Sequence, residues 1–313
     1  MDEEKLFSEI HKIDLKIYKS FKEICEKNNL RFFAISGTTI GVALWEGFIP
    51  WDDDMDIAMP AEDYDKFVKI CKKGLPKELG FYEYFWFGGK LFDTSSMFTG
   101  AYYLSKPDSY TGVFIDIVPL IALPNDKYER ESFIERVHNF HNYGLLYERY
   151  GDKDFSEKNL KDELNYLKYS YKFGDTDFVM DISDPRYVLE AKGFLNPILK
   201  RFEDTEIPTS SNYENDLKIQ YAHLTKYPPK EQRGSLHQLG GILDTNKSLF
   251  EYQKEYKKIP NWIKEAITAK DRNEHTYLKS MIYYQDLIAS EKNKKNKSSR
   301  IIKKVIRKIF PRH

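Results

Sequence analysis

The sequence predicts an α+β protein, a mixed sheet carrying helices and followed by a largely helical C-terminal half. Three observations predict it. The chain opens on apolar residues at three- and four-residue steps, Leu6, Ile10, Ile13, Ile17, Phe21 and Ile24. Short aromatic and β-branched runs then alternate with helical stretches as far as Leu120. From Asn125 to about Tyr171 the pattern turns helical, with aromatic and charged side chains mixed.

Each element follows from its own residues. The opening repeat makes an amphipathic N-terminal helix over residues 1–30. Arg31 to Ser36 reads as a short buried strand running into Ser36-Gly37-Thr38-Thr39 and a helix through Trp45. Gly47 to Met59 contains the second strand, and Asp63 to Cys71 is helical with Gly74 as its stop. Phe81–Phe87, Lys90–Asp93, Ala101–Leu104 and Gly112–Val118 are strand candidates. Ile207 to Asn212, with Pro208 inside it, reads as a loop, and Tyr213 to Tyr227 as a helix ending at Pro228-Pro229. Leu249 to Ile288 reads as a further helical stretch.

Of the 313 residues 41% are hydrophobic, 15% aromatic and 31% charged, the composition of a chain with a core rather than a disordered one. No run approaches the roughly 18 apolar residues that cross a bilayer, and the acidic Met1-Asp2-Glu3-Glu4 start is not a secretory signal. Two cysteines, Cys25 and Cys71, without metal-ligand spacing fit a reducing cytosol. Net charge is zero but unevenly spread. Ten of the 49 Lys and Arg, and one of the 49 acids, fall in residues 291–313. The acidic body argues against nucleic-acid binding.

The most informative segment is Pro50-Trp51-Asp52-Asp53-Asp54-Met55-Asp56-Ile57. Strands disfavour Asp, and burying unpaired carboxylates costs several kcal/mol or forces protonation. A divalent cation removes that penalty. On a strand Asp54 and Asp56 share one face, with Asp52, and make a cradle for Mg²⁺ (or Mn²⁺). Asp53 would then point the other way and support the site from behind. Asp116, within the apolar Gly112-Val113-Phe114-Ile115-Asp116-Ile117-Val118, is the third expected carboxylate, with a hydrogen-bonded core Asp as the plain alternative. Ser36, Gly37 and Thr38 lie between strand and helix, where main-chain N–H groups and the helix dipole receive phosphate. His138 and His141 lack a third ligand nearby, so no zinc site is expected.

These blocks resemble the LicD family of phosphocholine and polyol-phosphate transferases, within the nucleotidyltransferase superfamily. The resemblance rests on Phe33 to Gly41, on Gly47 to Ile57, on Met59-Pro60 with Asp63-Tyr64, and on Gly112 to Leu120. A closing block carries Phe202-Glu203, Ile207-Pro208, Tyr213, Tyr221, Pro228-Pro229 and His237. The chain departs from the pattern at Trp45-Glu46, where relatives carry a basic residue, and at Tyr221-Ala222-His223-Leu224.

The resemblance implies a nucleotidyltransferase-like catalytic domain over residues 31–240, a helical extension over 241–290 and a basic tail over 291–313. It implies transfer of a phosphorylated small group, phosphocholine foremost, from a CDP-linked donor to a hydroxyl of a cell-surface glycan or teichoic-acid precursor, with CMP leaving. Asp54 and Asp56 would be metal ligands, and Asp116 a third ligand or the base. Lys90 would meet donor phosphate together with Ser36, Gly37 and Thr38, and His237 is a candidate supporting residue. Two other readings remain: a nucleotidyltransferase that releases pyrophosphate, and a non-catalytic nucleotide- or glycan-binding protein at a membrane.

The tail has its own pattern. Ile302, Val305, Ile306, Ile309 and Phe310 make one apolar stripe, with Lys304 and Arg307 on the other face. That is the pattern of a helix lying in an anionic membrane surface, and it predicts a cytoplasmic enzyme held at the inner face of the plasma membrane. A solvated or docked terminal helix is the plain alternative.

Overall fold

The computed structural model describes residues 3–84, 88–100, 107–150, 157–221, 224, 226–227, 229 and 242–258. The tail stripe, His237 and the strand expected at Ala101–Leu104 lie outside these residues. Helix α1 is Glu3–Lys27, and it buries Ile10, Ile17, Tyr18 and Phe21 as the opening repeat requires. Strand β1 is Phe33–Ala34, α2 Ser36–Trp45, β2 Asp56–Pro60 and α3 Ala61–Lys73, which stops at Gly74 with φ 136°. Next come β3 (Leu79–Tyr84), β4 (Gly88–Asp93), β5 (Met97–Thr99) and the long β6 (Phe114–Leu123). Helices α4 (Lys127–Tyr150) and α5 (Glu157–Tyr169) fill the segment expected to be helical.

The later chain adds strands among its helices. They are β7 (Phe178–Asp181), β8 (Leu189–Glu190), α6 (Ala191–Leu195), β9 (Ile198–Phe202), β10 (Thr205–Thr209), α7 (Tyr213–Gln220), β11 (Ile242–Asp244) and α8 (Leu249–Lys258). The mixed sheet runs β3-β4-β6-β2-β1-β10-β9, with β7 and then β8 attached to the far stretch of β6. Within it, β2 is parallel to β6 and β1 to β10. Strand β11 pairs with β5 in a separate ribbon.

Three expectations need correcting. Asp52, Asp53 and Asp54 are not on a strand: β2 starts at Asp56, and the preceding acids lie on the loop that leads into it. Residues 207–209, expected in a loop, belong to β10. Pro208 pairs with Leu199 of β9, while Ile207 and Thr209 are buried on alternate positions. The helix expected to reach Tyr227 ends at Gln220, and Tyr221 is already extended.

Strand alternation places the chemistry. Ile57 and Met59 of β2 and Ile115 and Ile117 of β6 enter the core with Ile17 and Phe21 of α1 and Tyr64 and Phe67 of α3. Phe21 meets Phe32 and Phe67 edge-on at 5.0 and 5.1 Å. Asp56 and Asp116 therefore project from the opposite side of the sheet, where Ala58, Val118 and Leu120 pack with Phe33 and Phe194 farther along. The turn before the acids is locked from a distance. Glu203, after β9, accepts the Phe48 N–H at 3.0 Å and gives its own N–H to the Glu46 carbonyl at 2.7 Å. A Cβ on Gly47 would stand 2.1 Å from the Glu203 Oε1, so any larger residue there would have to displace the carboxylate that holds the turn.

Candidate active site

Two strands set the centre of the site by register. Parallel pairing puts Asp56 opposite Asp116, and the antiparallel β4–β6 pair puts Lys90 opposite Asp116. The three side chains make a row across neighbouring strands on one face. Lys90 Nζ donates to both Asp116 oxygens at 3.1 and 3.2 Å and lies 3.2 Å from the centroid of the Phe114 ring. The Asp116 N–H donates to the Met55 carbonyl at 2.8 Å, which ties β6 to the end of the acidic loop.

Helix α2 meets the same point with its N-terminus. Ile35 at the cap position offers no side-chain acceptor. The Gly37 N–H donates instead to Asp56 Oδ2 at 3.1 Å, and the Asp56 N–H donates to Thr38 Oγ1 at 2.7 Å. A carboxylate thus takes up a first-turn donor and sits at the positive end of the helix dipole. Ser36 enters the helix with φ 47°, a left-handed conformation uncommon outside glycine that accompanies functional turns. The Ser36-Gly37-Thr38 turn, expected to hold phosphate, here orients Asp56.

The carboxylates converge in two overlapping groups. Ligand oxygens of Asp54, Asp56 and Asp116 lie within 4.8 Å of one another, and so do those of Asp52, Asp53 and Asp54. Asp53, expected on the opposite face, joins the second group because these three acids sit on a loop and do not alternate. A Cβ on Gly37 would come 2.9 Å from Asp52 Oδ2 and 3.3 Å from Asp56 Oδ2, so glycine leaves open a space that those oxygens line. An all-oxygen, multiply anionic donor set around such a space suits a hard divalent cation. The residues fit Mg²⁺ or Mn²⁺.

Sequence reasoning missed two residues of α1. His11 Nε2 lies 2.8 Å from the Asp52 carbonyl oxygen, and the imidazole stacks on Phe48 at 4.4 Å and 3°. A carbonyl can only accept, so Nε2 carries the proton. Burial lowers the His11 pKa and keeps the ring neutral, against the opposing pull of the Asp52 carbonyl and of Glu203 and Asp53. One turn on, Asp14 is fully buried and neither carboxylate oxygen has a hydrogen-bond partner. Burial, followed by the charges of Asp54, Asp53, Asp52 and Asp116, raises its pKa well above the usual carboxylate range. One signal was present: Asp14 sits four after Ile10 and three before Ile17, an acid inside the apolar stripe. Tyr221, from the closing block, is near as well. Burial, then Asp56 and Asp52, raises its phenol pKa.

Acids from two strands and a loop, a helix N-terminus and a paired lysine define the chain as an enzyme of the phosphotransferase class. The family model for the LicD/FKTN/FKRP nucleotidyltransferase domain matches residues 29–162, which contain every one of these acids except Asp14. Over that stretch the chain is similar to the LicD family. It is similar to the lipopolysaccharide cholinephosphotransferase LicD of Haemophilus influenzae, 22% identical over 253 residues that cover 71% of this chain and 92% of that protein. It is also similar, 36% identical over 66 residues and 21% of each chain, to an uncharacterized protein of Rickettsia typhi.

Proposed function

We propose that the protein transfers phosphocholine from a CDP-linked donor to a hydroxyl of a cell-surface glycan, releasing CMP. The observation that carries the reading is the convergence of Asp54, Asp56 and Asp116 oxygens within 4.8 Å, with Lys90 bonded to the last of them. The kinship with a lipopolysaccharide cholinephosphotransferase over most of both chains supports the transferred group and the class of acceptor.

Asp54, Asp56 and Asp116 would hold Mg²⁺, with Asp52 beside them. When bound there, the ion neutralises charge on the donor pyrophosphate. Lys90 stands next to that position and supplies a second positive charge for a phosphate oxygen. Asp56 is oriented by Gly37 and Thr38, and Asp116 by the ladder and by Lys90. The acceptor oxygen attacks the phosphorus that bears choline, and the bridging P–O bond breaks. CMP leaves with the electron pair, and the hydroxyl proton passes to a carboxylate, which would be Asp116 if that residue acts as the base and not as a third metal ligand. The basic tail would hold the enzyme at an anionic inner membrane surface, where a cytosolic donor meets a lipid-linked acceptor. Removal of residues 291–313 should then abolish sedimentation with anionic liposomes.

The test is a panel of CDP-linked donors with Mg²⁺, followed by CMP release. CDP-choline should turn over fastest. Pyrophosphate as the product, or equal turnover with EDTA present, would overturn the reading.

A further inference from the structure

Beside the acids stands a group of aromatic side chains that the reaction scheme leaves unused. Trp45, the last residue of α2, meets Trp51 with ring centroids 5.6 Å apart at 87°. Tyr227 closes the group, 6.2 Å from Trp45 at 86° and 6.5 Å from Trp51 at 50°. Trp45 meets both other rings edge-on and the third pair is tilted at 50°, so the rings form a corner whose faces suit a cation.

This is not ordinary core packing. Trp45 and Tyr227 belong to none of the buried hydrophobic clusters, Trp51 only borders one, and Tyr227 is 66% exposed. The Trp45 Nε1 is buried without a hydrogen-bond partner, so the part of that ring reached by solvent is carbon. Trp45 and Trp51 are half-buried and Tyr227 is exposed, and apolar ring surface left in water costs free energy unless something covers it.

Charge indicates what that something is. Trp51 immediately precedes Asp52, and Glu46 follows Trp45 with an exposed carboxylate 3.5 Å from Arg201. The corner therefore adjoins the acidic loop through Trp51 and Asp52. Lys226 Nζ lies 5.9 Å from the Trp45 ring centroid, so this face draws a cation even from its own chain. A primary ammonium keeps its water at that distance. A quaternary ammonium has no N–H to satisfy and sheds water more easily, so ring faces suit it better.

We propose that Trp45, Trp51 and Tyr227 form the subsite for the quaternary ammonium head of the transferred group. The proposal rests on the phosphocholine reading, because the corner adjoins the acids that would hold the phosphate. The subsite sets specificity: it separates a trimethylammonium donor from the same donor with a primary amine.

Two measurements on the full chain keep the two readings apart. The first is CMP release with CDP-choline and CDP-ethanolamine, for the native enzyme and for Trp45→Leu, Tyr227→Leu and Trp45→Phe. The native enzyme should prefer CDP-choline at least tenfold, on the order expected for a desolvated cation–π contact. Either leucine variant should raise KM for CDP-choline by about tenfold and bring the two donors nearly level, whereas Trp45→Phe keeps most of the preference. The second is calorimetric titration with choline alone, against ammonium chloride. Heat of binding should appear for choline and vanish in Trp45→Leu. Tryptophan-dependent choline binding without turnover of CDP-choline would sink the phosphocholine reading and leave the subsite standing. Turnover of CDP-choline with its preference over CDP-ethanolamine unchanged in both leucine variants would overturn the subsite.

Discussion

Asp56 and Asp116 differ from Asp52, Asp53 and Asp54 in what holds them, although all five belong to one cluster. The first pair are rungs of a parallel ladder, directly opposite each other. Their spacing is a property of the sheet, and a one-residue slip of either strand would turn its acid to the wrong face. The loop acids have no ladder. Their main chain is pinned through His11 at Asp52, and the turn before them through Glu203 at Phe48, by contacts from distant parts of the chain. The sheet supplies precision, and the loop supplies carboxylates that can adjust around a cation.

Substitutions that break this comparison should differ in size. The largest effect belongs to Asp56→Asn and Asp54→Asn, each expected to cut CMP release by about a thousandfold through loss of a charge-neutralising ligand. Circular dichroism should show both folded, since Asn can still accept from the Gly37 N–H. Unchanged turnover in either would remove the acids from the chemistry.

Gly37→Ala probes the space between the two sets. Its φ needs no glycine, and alanine favours helices, so the melting temperature should not fall. The new Cβ would press on Asp52 Oδ2 at 2.9 Å, and activity should drop by about tenfold or more. A smaller effect is expected from His11→Phe, which keeps the stack on Phe48 and removes the donor to Asp52. Mn²⁺ affinity, read by electron paramagnetic resonance, should weaken by about three- to tenfold, as for loss of one supporting hydrogen bond, and His11→Gln should restore part of it. Equal affinity in all three proteins would show that the loop needs no pin.

Asp14→Leu should act on stability instead. Replacing a buried acid that lacks partners with an apolar side chain should add about 1–3 kcal/mol, measured by urea unfolding at pH 7. Because the folded-state pKa of Asp14 is raised above 3.8, folding loses stability as pH rises past the unfolded value. The gain in Asp14→Leu should therefore be smaller at pH 4 than at pH 7, and a gain that does not depend on pH would show that Asp14 ionises freely in the folded chain.

The acids and their partner strand were legible because carboxylates inside apolar runs carry an energetic penalty that needs an explanation. Asp54, Asp56 and Asp116 stand out on that ground alone. The position of the strand start was not legible: an acidic run of this kind reads the same whether it is extended in a ladder or extended in a loop. Pro208 hid β10 for a similar reason, since proline signals a loop unless the burial of Ile207 and Thr209 on alternate positions is known. His11 gave no signal at all, because a histidine on an amphipathic helix is unremarkable until its distance to a main-chain oxygen can be measured.

The clasp between Glu203 and the Glu46–Phe48 turn has a practical meaning for anyone dividing this chain. A fragment trimmed to residues 29–162 would keep all of the loop and strand acids yet lose both outside anchors of the loop that carries three of them, as well as the strand that covers β1. The smallest working piece should accordingly begin near Glu3 and extend beyond Thr209, well outside the stretch that marks its kinship.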